Sequence, residues 1–255
     1  MIDSNFNGQR TQVVTPLQLR FLTLPHRRCP RGLFLIILPR TPYHLSQLPY
    51  PVISMSFSTD VPKLTAWFLP EDDDTVQRAP ALPHDTGKKV SQKELAKLGV
   101  LATEVKSLEA WEQDTNLDQI RKDRGYTTYD TVDSHNLPKG TQVKFFTEHL
   151  HTDEEIRFLG RGSAYFDIRD TKDKWIRIKI GPGALIILPA GLWHRFHIAQ
   201  EAGSDILVYR LFTTNPQWKS YPRRGVNGNM AVTNEDSATV QLVRERYLQQ
   251  LQVQA

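Results

Sequence analysis

The sequence predicts a mainly-β fold, a barrel or sandwich with a few peripheral helices. Three observations carry this expectation. Apolar segments of strand length recur through the second half of the chain. Turns rich in Gly and Pro separate them, at Gly160-Arg-Gly162, Gly181-Pro-Gly183 and Pro189-Ala-Gly191. Helical periodicity is confined to the flanks, which is the pattern of a β domain with helices at its edges.

Residues 1–54 stand apart from the rest of the chain. They hold six arginines, no lysine and one acid, Asp3, so this stretch carries +5 of the chain's net +4 and the remainder is close to −1. Their Arg-rich, acid-poor composition invites a transit-peptide reading. Pro16, Pro25, Pro30 and Pro39 would interrupt an amphipathic helix, and serine is sparse. The preferred expectation is an inert, poorly structured extension ahead of Met55 that does not direct the chain to mitochondria.

From Lys63 the pattern becomes orderly. Leu64 to Leu69 reads as a strand ended by Pro70 and an acidic turn, Glu71 to Asp74. Ser91-Gln-Lys-Glu94 is a capping box opening a short helix that Gly99 closes. A second helical stretch runs from Ser107, with Leu108, Trp111, Leu117 and Ile120 as apolar positions, and stops near Gly125. Strands are then expected over 143–151, 155–159, 163–169, 175–180, 184–188 and 206–212. Trp175-Ile-Arg-Ile-Lys-Ile180 alternates most cleanly. A last amphipathic helix carries Val240, Val243, Tyr247 and Leu251 on one side. The expected organisation is an extension (1–54), a metal-binding domain (55–225) and a C-terminal extension with a helix (226–255).

Composition narrows the function classes. The folded part is nearly neutral, which argues against nucleic acid as a partner. The longest apolar run, Leu33 to Leu38, is far short of the roughly 20 residues of a bilayer span. Cys29 is the single cysteine, so no disulfide framework is available and a metal site would use histidine and carboxylate.

Such a site is written into the sequence. His149 and His151 are two residues apart, and on a strand positions i and i+2 project from one face. The turn Thr152-Asp153-Glu154 returns the chain so that Glu155 stands beside them as a hard anionic ligand. His194 comes after the Pro189-Ala-Gly191 turn and completes a set of three imidazoles and one carboxylate. A lone strand histidine is more often not a ligand; His84, His135 and His197 are of that kind, with His197 facing away from His194.

The spacing of His149, His151, Glu155 and Gly162, then of Gly183, Pro189, Gly191 and His194, resembles the two cupin motifs. Val143 stands where the first motif usually has glycine and Ile198 where the second usually has asparagine; neither is a ligand position. The strings Glu148 to Arg157, Gly162 to Arg169, Trp175 to Arg177 and Leu188 to Phe196 are similar to acireductone dioxygenases throughout. Ala66-Trp67, Arg124-Gly-Tyr126, Pro216-x-Trp218 and Tyr221 agree. The resemblance covers about residues 61–223.

That resemblance implies a cupin barrel (a double-stranded β-helix or jelly roll) holding one Fe(II) or Ni(II) per chain. It implies oxidation of the acireductone 1,2-dihydroxy-3-keto-5-methylthiopentene by O2 in methionine salvage. The Fe form would give 2-keto-4-methylthiobutanoate and formate, the Ni form 3-methylthiopropanoate, formate and CO. Strand parity puts Arg157 inward beside Glu155, where it would neutralise a substrate anion. It puts Phe145 with His149 and Phe196 with His194 as pocket walls. No catalytic residue beyond the metal ligands is expected. A monomer is expected, in the cytoplasm and with the nucleus as a second location. Other oxygen-using cupins and a non-catalytic cupin are the competing readings.

Overall fold

Strand pairing decides the architecture. The computed structural model describes residues 61–138, 140–203, 205–216, 219–223 and 237–254; the expectations for residues 1–54 and for Trp218 lie outside these. The elements begin with Leu64–Phe68 (β1), Asp73–Arg78 (α1), Lys89–Val90 (β2), Gln92–Lys97 (α2), Leu101–Glu104 (β3), Thr115–Arg124 (α3), Tyr126–Asp133 (β4) and Thr141–Phe146 (α4). Next come His149–Leu150 (β5), Glu155–Arg161 (β6), Ala164–Arg169 (β7), Trp175–Ile180 (β8), Ala184–Leu188 (β9) and His194–Ile198 (β10). Leu207–Thr213 (β11), Tyr221–Pro222 (β12) and Ala238–Gln254 (α5) complete the series.

Four antiparallel pairs are nested: β7 with β8, β6 with β9, β5 with β10, and β4 with β11. The chain is therefore one long hairpin whose arms stay paired while they wind, so that successive pairs fall in alternate sheets. The result is a seven-stranded sheet, β12-β5-β10-β7-β8-β1-β2, and a five-stranded sheet, β3-β9-β6-β11-β4. This is the double-stranded β-helix that the sequence predicts, mainly β with few helices. All the pairs are antiparallel.

Alternation along each strand divides the apolar residues between two layers. Leu159, Phe166, Ile168, Ile176, Ile178, Ile186 and Leu188 form the core cluster that the sheets share. Ile156, Phe158, Leu185, Ile187 and Leu211 point the other way from the smaller sheet and are covered by Trp111, Leu117 and Ile120. Ala184-Leu-Ile-Ile-Leu188 lacks alternation because both of its faces are buried. Each fully buried Ile or Leu here stabilises the fold by about 1.5–3 kcal/mol relative to exposure.

Helix ends obey local chemistry. Ser91 and Glu94 form the reciprocal capping box of α2. The Asp114 carboxylate accepts from the Asn116 and Leu117 amides at the start of α3, and Gly125 ends it at φ +70°. The expected single stretch from Ser107 to Gly125 is thus divided into a 3-10 turn, Trp111–Gln113, and α3. The acidic stretch after Pro70 is α1, capped by Asp72.

The largest departure is at residues 143–151, expected as one strand. The chain forms α4 there, and only His149–Leu150 pairs as β5. Short β2 and β12, half-buried β3, the mostly exposed β4, and β10 are further strands beyond the expected ranges. The C-terminal helix α5 buries Val240, Val243 and Tyr247. Tyr247 shares the main core cluster, so this helix is packed against the barrel. No helix among the described residues is long and apolar enough to cross a membrane.

Candidate metal centre

Four donors converge where β5, β6 and β10 meet. One ligand atom each from His149, His151, Glu155 and His194 lies within 4.8 Å of all the others. His149 and His194 sit directly opposite one another on β5 and β10. Glu155 is the first residue of β6, delivered by the turn after His151. His149, Glu155 and His194 are buried, and His151 forms the more open side of the cluster.

Each imidazole is oriented through its outer nitrogen. His149 Nδ1 donates to the Thr147 carbonyl at 2.7 Å, His151 Nδ1 to the Lys219 carbonyl at 3.0 Å, and His194 Nδ1 to the Leu192 carbonyl at 2.9 Å. A carbonyl can only accept, so the proton of each neutral ring stays on Nδ1 and the Nε2 lone pair turns inward. Nε2 of His151 and of His194 lie 3.0 Å and 3.2 Å from Glu155 Oε2.

Lone pairs facing a carboxylate at that distance repel unless a cation lies among them. About 3.0 Å is also the separation of two adjacent donors that each sit about 2.1 Å from one ion. Three imidazoles and one carboxylate, without thiolate, suit a divalent first-row transition metal. The donor set therefore fits the metal that the sequence implies.

Electrostatics keeps the donors ready. Burial opposes ionisation of Glu155, but the Arg157 guanidinium and, whenever they carry a second proton, the His194 and His151 rings outweigh it and hold the carboxyl well below its ordinary range. Burial, with the positive charge that His194 or His151 carries when protonated, pushes His149 down to about 3. It is thus neutral at any working pH. Arg157 Nη2 stands 3.4 Å from Glu155 Oε2, and its Nη1 donates to the Ile156 carbonyl at 2.8 Å. Burial lowers the Arg157 pKa and Glu155 opposes that shift.

His149, His151 and Glu155 of the cluster line a cavity of about 260 Å³. Arg157, Arg210 and Lys144 give it a cationic wall, Phe145, Phe166, Phe196, Val132 and Val208 an apolar one, and Ser220 lines it as well. Arg157 and Phe196 reach it from strands. Phe145 does so from α4, meeting Phe196 edge-on at 5.9 Å; the strand parity that suggested it does not exist. His197 points away from the cavity, bonding the Ile198 carbonyl and resting against Phe146.

Arg210 is a pocket residue beyond the expected ones. It stands opposite Arg157 on β11 and is bound by Asp130 at 2.6 and 2.5 Å. A charged residue at the parity of Val208, within an otherwise apolar strand, is the signal that could have found it. Lys144 and Phe166 also escape the sequence reading: the first because α4 reads as a strand, the second because it doubles as core.

Comparisons with known proteins show what the whole chain resembles. The family model described as "ARD/ARD' family" matches residues 65–220. "Acireductone dioxygenase 4" of Arabidopsis thaliana is 45% identical over 168 residues, covering 63% of this chain and 85% of its own length. "Acireductone dioxygenase" of Branchiostoma floridae is 44% identical over 162 residues, covering 62% of this chain and 88% of its own. A looser likeness is the solved "Acireductone dioxygenase from Bacillus anthracis with cadmium ion in active center", at 21% identity and TM-score 0.44, covering 52% of this chain and 91% of that one. Because the family model spans more than half of the sequence, the chain belongs to the ARD/ARD' family and is a metal-dependent dioxygenase of it.

Proposed function

We propose that the chain oxidises 1,2-dihydroxy-3-keto-5-methylthiopentene with O2, using one Fe(II) or Ni(II) held by His149, His151, Glu155 and His194. The observation that carries this reading is the pairing of a four-donor cluster with a cationic and an apolar wall in one cavity. An enediol that ionises and chelates, attached to an apolar thioether tail, has the chemistry of that cavity.

A bound divalent ion would supply Lewis acidity and a template for the substrate anion. The protein's part is recognition and orientation. Arg157, already cationic and buried beside Glu155, offers its guanidinium to the anion. Phe145 and Phe196 take the methylthio tail. The three Nδ1–H bonds to carbonyls prevent ring rotation during turnover.

With Fe(II) the products are 2-keto-4-methylthiobutanoate and formate; with Ni(II) they are 3-methylthiopropanoate, formate and CO. Both outcomes place the two oxygen atoms of O2 in the products and consume no outside reductant. The test is anaerobic reconstitution with one metal at a time, then synthetic acireductone and O2, with the products resolved. Metal retention without oxygen uptake would favour the non-catalytic cupin, and products other than these another oxygen-using cupin.

The proposal extends to a monomer acting in cytoplasm and nucleus. It includes an inert segment before Met55, so a chain beginning at Met55 should match the full chain in melting temperature, metal content and turnover.

A further inference from the structure

The turn between β9 and β10 joins two of the proposed ligands. The Gly191 amide donates to the His151 carbonyl at 2.9 Å. One residue on, the Leu192 carbonyl accepts from His194 Nδ1 at 2.9 Å. The same four-residue stretch thus fixes the backbone of one ligand and the ring of another.

This turn is held from outside by α5, which lies beyond the residues that the family model matches. Arg244 donates to the Gly191 carbonyl at 2.8 Å. The helix backbone comes so close that a Cβ on Gly191 would stand 2.7 Å from the Val243 carbonyl oxygen and 3.0 Å from Tyr247 Cβ. Gly191 also has φ +82°, so both contact and conformation require glycine there. Val240 and Val243 pack with Trp193, which precedes His194, and with Leu150, which lies between His149 and His151. Tyr247, one turn beyond Val243, also donates to the Leu98 carbonyl at 3.0 Å and so ties the same part of the helix to the barrel.

We propose that α5 is a clamp on the metal centre, with Arg244, Val243 and Tyr247 as positioning residues that hold Gly191 and, through it, His151 and His194. This rests on the metal reading of the four donors. Residues that orient ligands without touching the ion typically change metal affinity by about 10–100-fold. The clamp is expected to act in that range while contributing nothing to the chemistry itself.

The test uses the full chain loaded with Ni(II) and measures the rate at which EDTA removes the metal. Thermal melting and circular dichroism are measured alongside. Arg244→Met keeps the aliphatic stem and removes the donor to Gly191; it should speed release about tenfold. Val243→Asp with Tyr247→Ser should unseat the helix, seen as proteolysis within 237–254, and speed release about 100-fold. Ile120→Ala, on α3, should lower the melting temperature without changing release. If the double variant does not fold, Arg244→Met decides the matter. Release as slow as wild type in Arg244→Met overturns the clamp, as does equal acceleration in Ile120→Ala. A wild-type chain that binds no Ni(II) overturns the metal reading and the clamp with it.

Discussion

His149 and His194 are cross-strand partners, with imidazole centroids 4.4 Å apart and rings tilted by 58°. Each is tied to the carbonyl two residues before it, so the backbone leading into β5 and into β10 aims the lone pairs.

This relationship predicts a sharp contrast along β10. His194→Ala should lower metal affinity by more than the 10–100-fold of an outer-layer change. His197→Ala, three residues on and facing out, should retain the metal. Glu155→Gln should resemble His194→Ala, because the amide keeps the shape and loses the charge. Elemental analysis of purified variants decides it, and full occupancy in the first and third would remove the four-donor assignment.

Much of this centre is legible in the sequence because strand parity and turn length leave little freedom. His149 and His151 converge on one point although β5 ends at Leu150 between them, and a turn of three residues returns Glu155 to them. The same parity places Arg157 beside Glu155. It fails at Thr141–Phe146, where Val, Lys and two Phe read as a strand but the segment packs as a helix across β10. Local propensity cannot foresee that, since tertiary packing chooses the state of a six-residue segment. β4 escapes the pattern for a related reason: its exposed Thr and Tyr residues gain from pairing with β11 rather than from a buried face. The Asp130 partner of Arg210 comes from 80 residues away in sequence, beyond any local pattern.

Arg157 supports a prediction separating binding from metal retention. Arg157→Ala should keep the metal, because the guanidinium is not a donor to it. It should weaken substrate binding by about 1.5–3 kcal/mol, the range for a hydrogen bond to a charged group. Arg157→Lys should recover part of that loss, limited by the missing planar fork. Metal content and steady-state kinetics measured on the same samples test this; unchanged kinetics would assign Arg157 to the support of Glu155 alone.

Consecutive phenylalanines on α4 face different layers. Phe145 meets Phe196 at the cavity, while Phe146 lies under the Arg195 guanidinium at 4.3 Å. Phe145→Ala should therefore raise KM for a substrate with an apolar tail and cost less than about 2 kcal/mol of stability. Phe196→Ala removes a ring that also packs on Phe166 at 5.0 Å. It should cost about 3 kcal/mol, the low end for a truncated phenylalanine. Denaturant melts and KM values on the two variants distinguish wall from core.

The outer face of the larger sheet carries a pH dependence. Beside His194, the buried Arg195 donates to Asp167 at 2.9 Å and to both Asp73 oxygens at 2.8 and 3.1 Å. Asp73 is on α1, so this ion pair fastens α1 to β10 next to a proposed ligand. Burial raises the Asp73 pKa, but bonding to Arg195 outweighs it and leaves the group below its ordinary value of 3.8. A carboxyl whose folded pKa is depressed contributes stability that is fully present above the unfolded pKa. That contribution is lost as pH falls through the folded value. Asp73→Asn should thus destabilise the chain by about 1.5 kcal/mol, the low end for a charge-assisted bond, because Asp73 is one-third exposed. The deficit should be constant from about pH 5 to 8, since the ordinary carboxylate pKa lies below that window. It should shrink below the unfolded pKa of 3.8, as Asp73 in the wild-type chain becomes neutral too. Urea melts of both chains across that range test the sign: a deficit that widens on acidification would mean that Asp73 is not held ionised by Arg195.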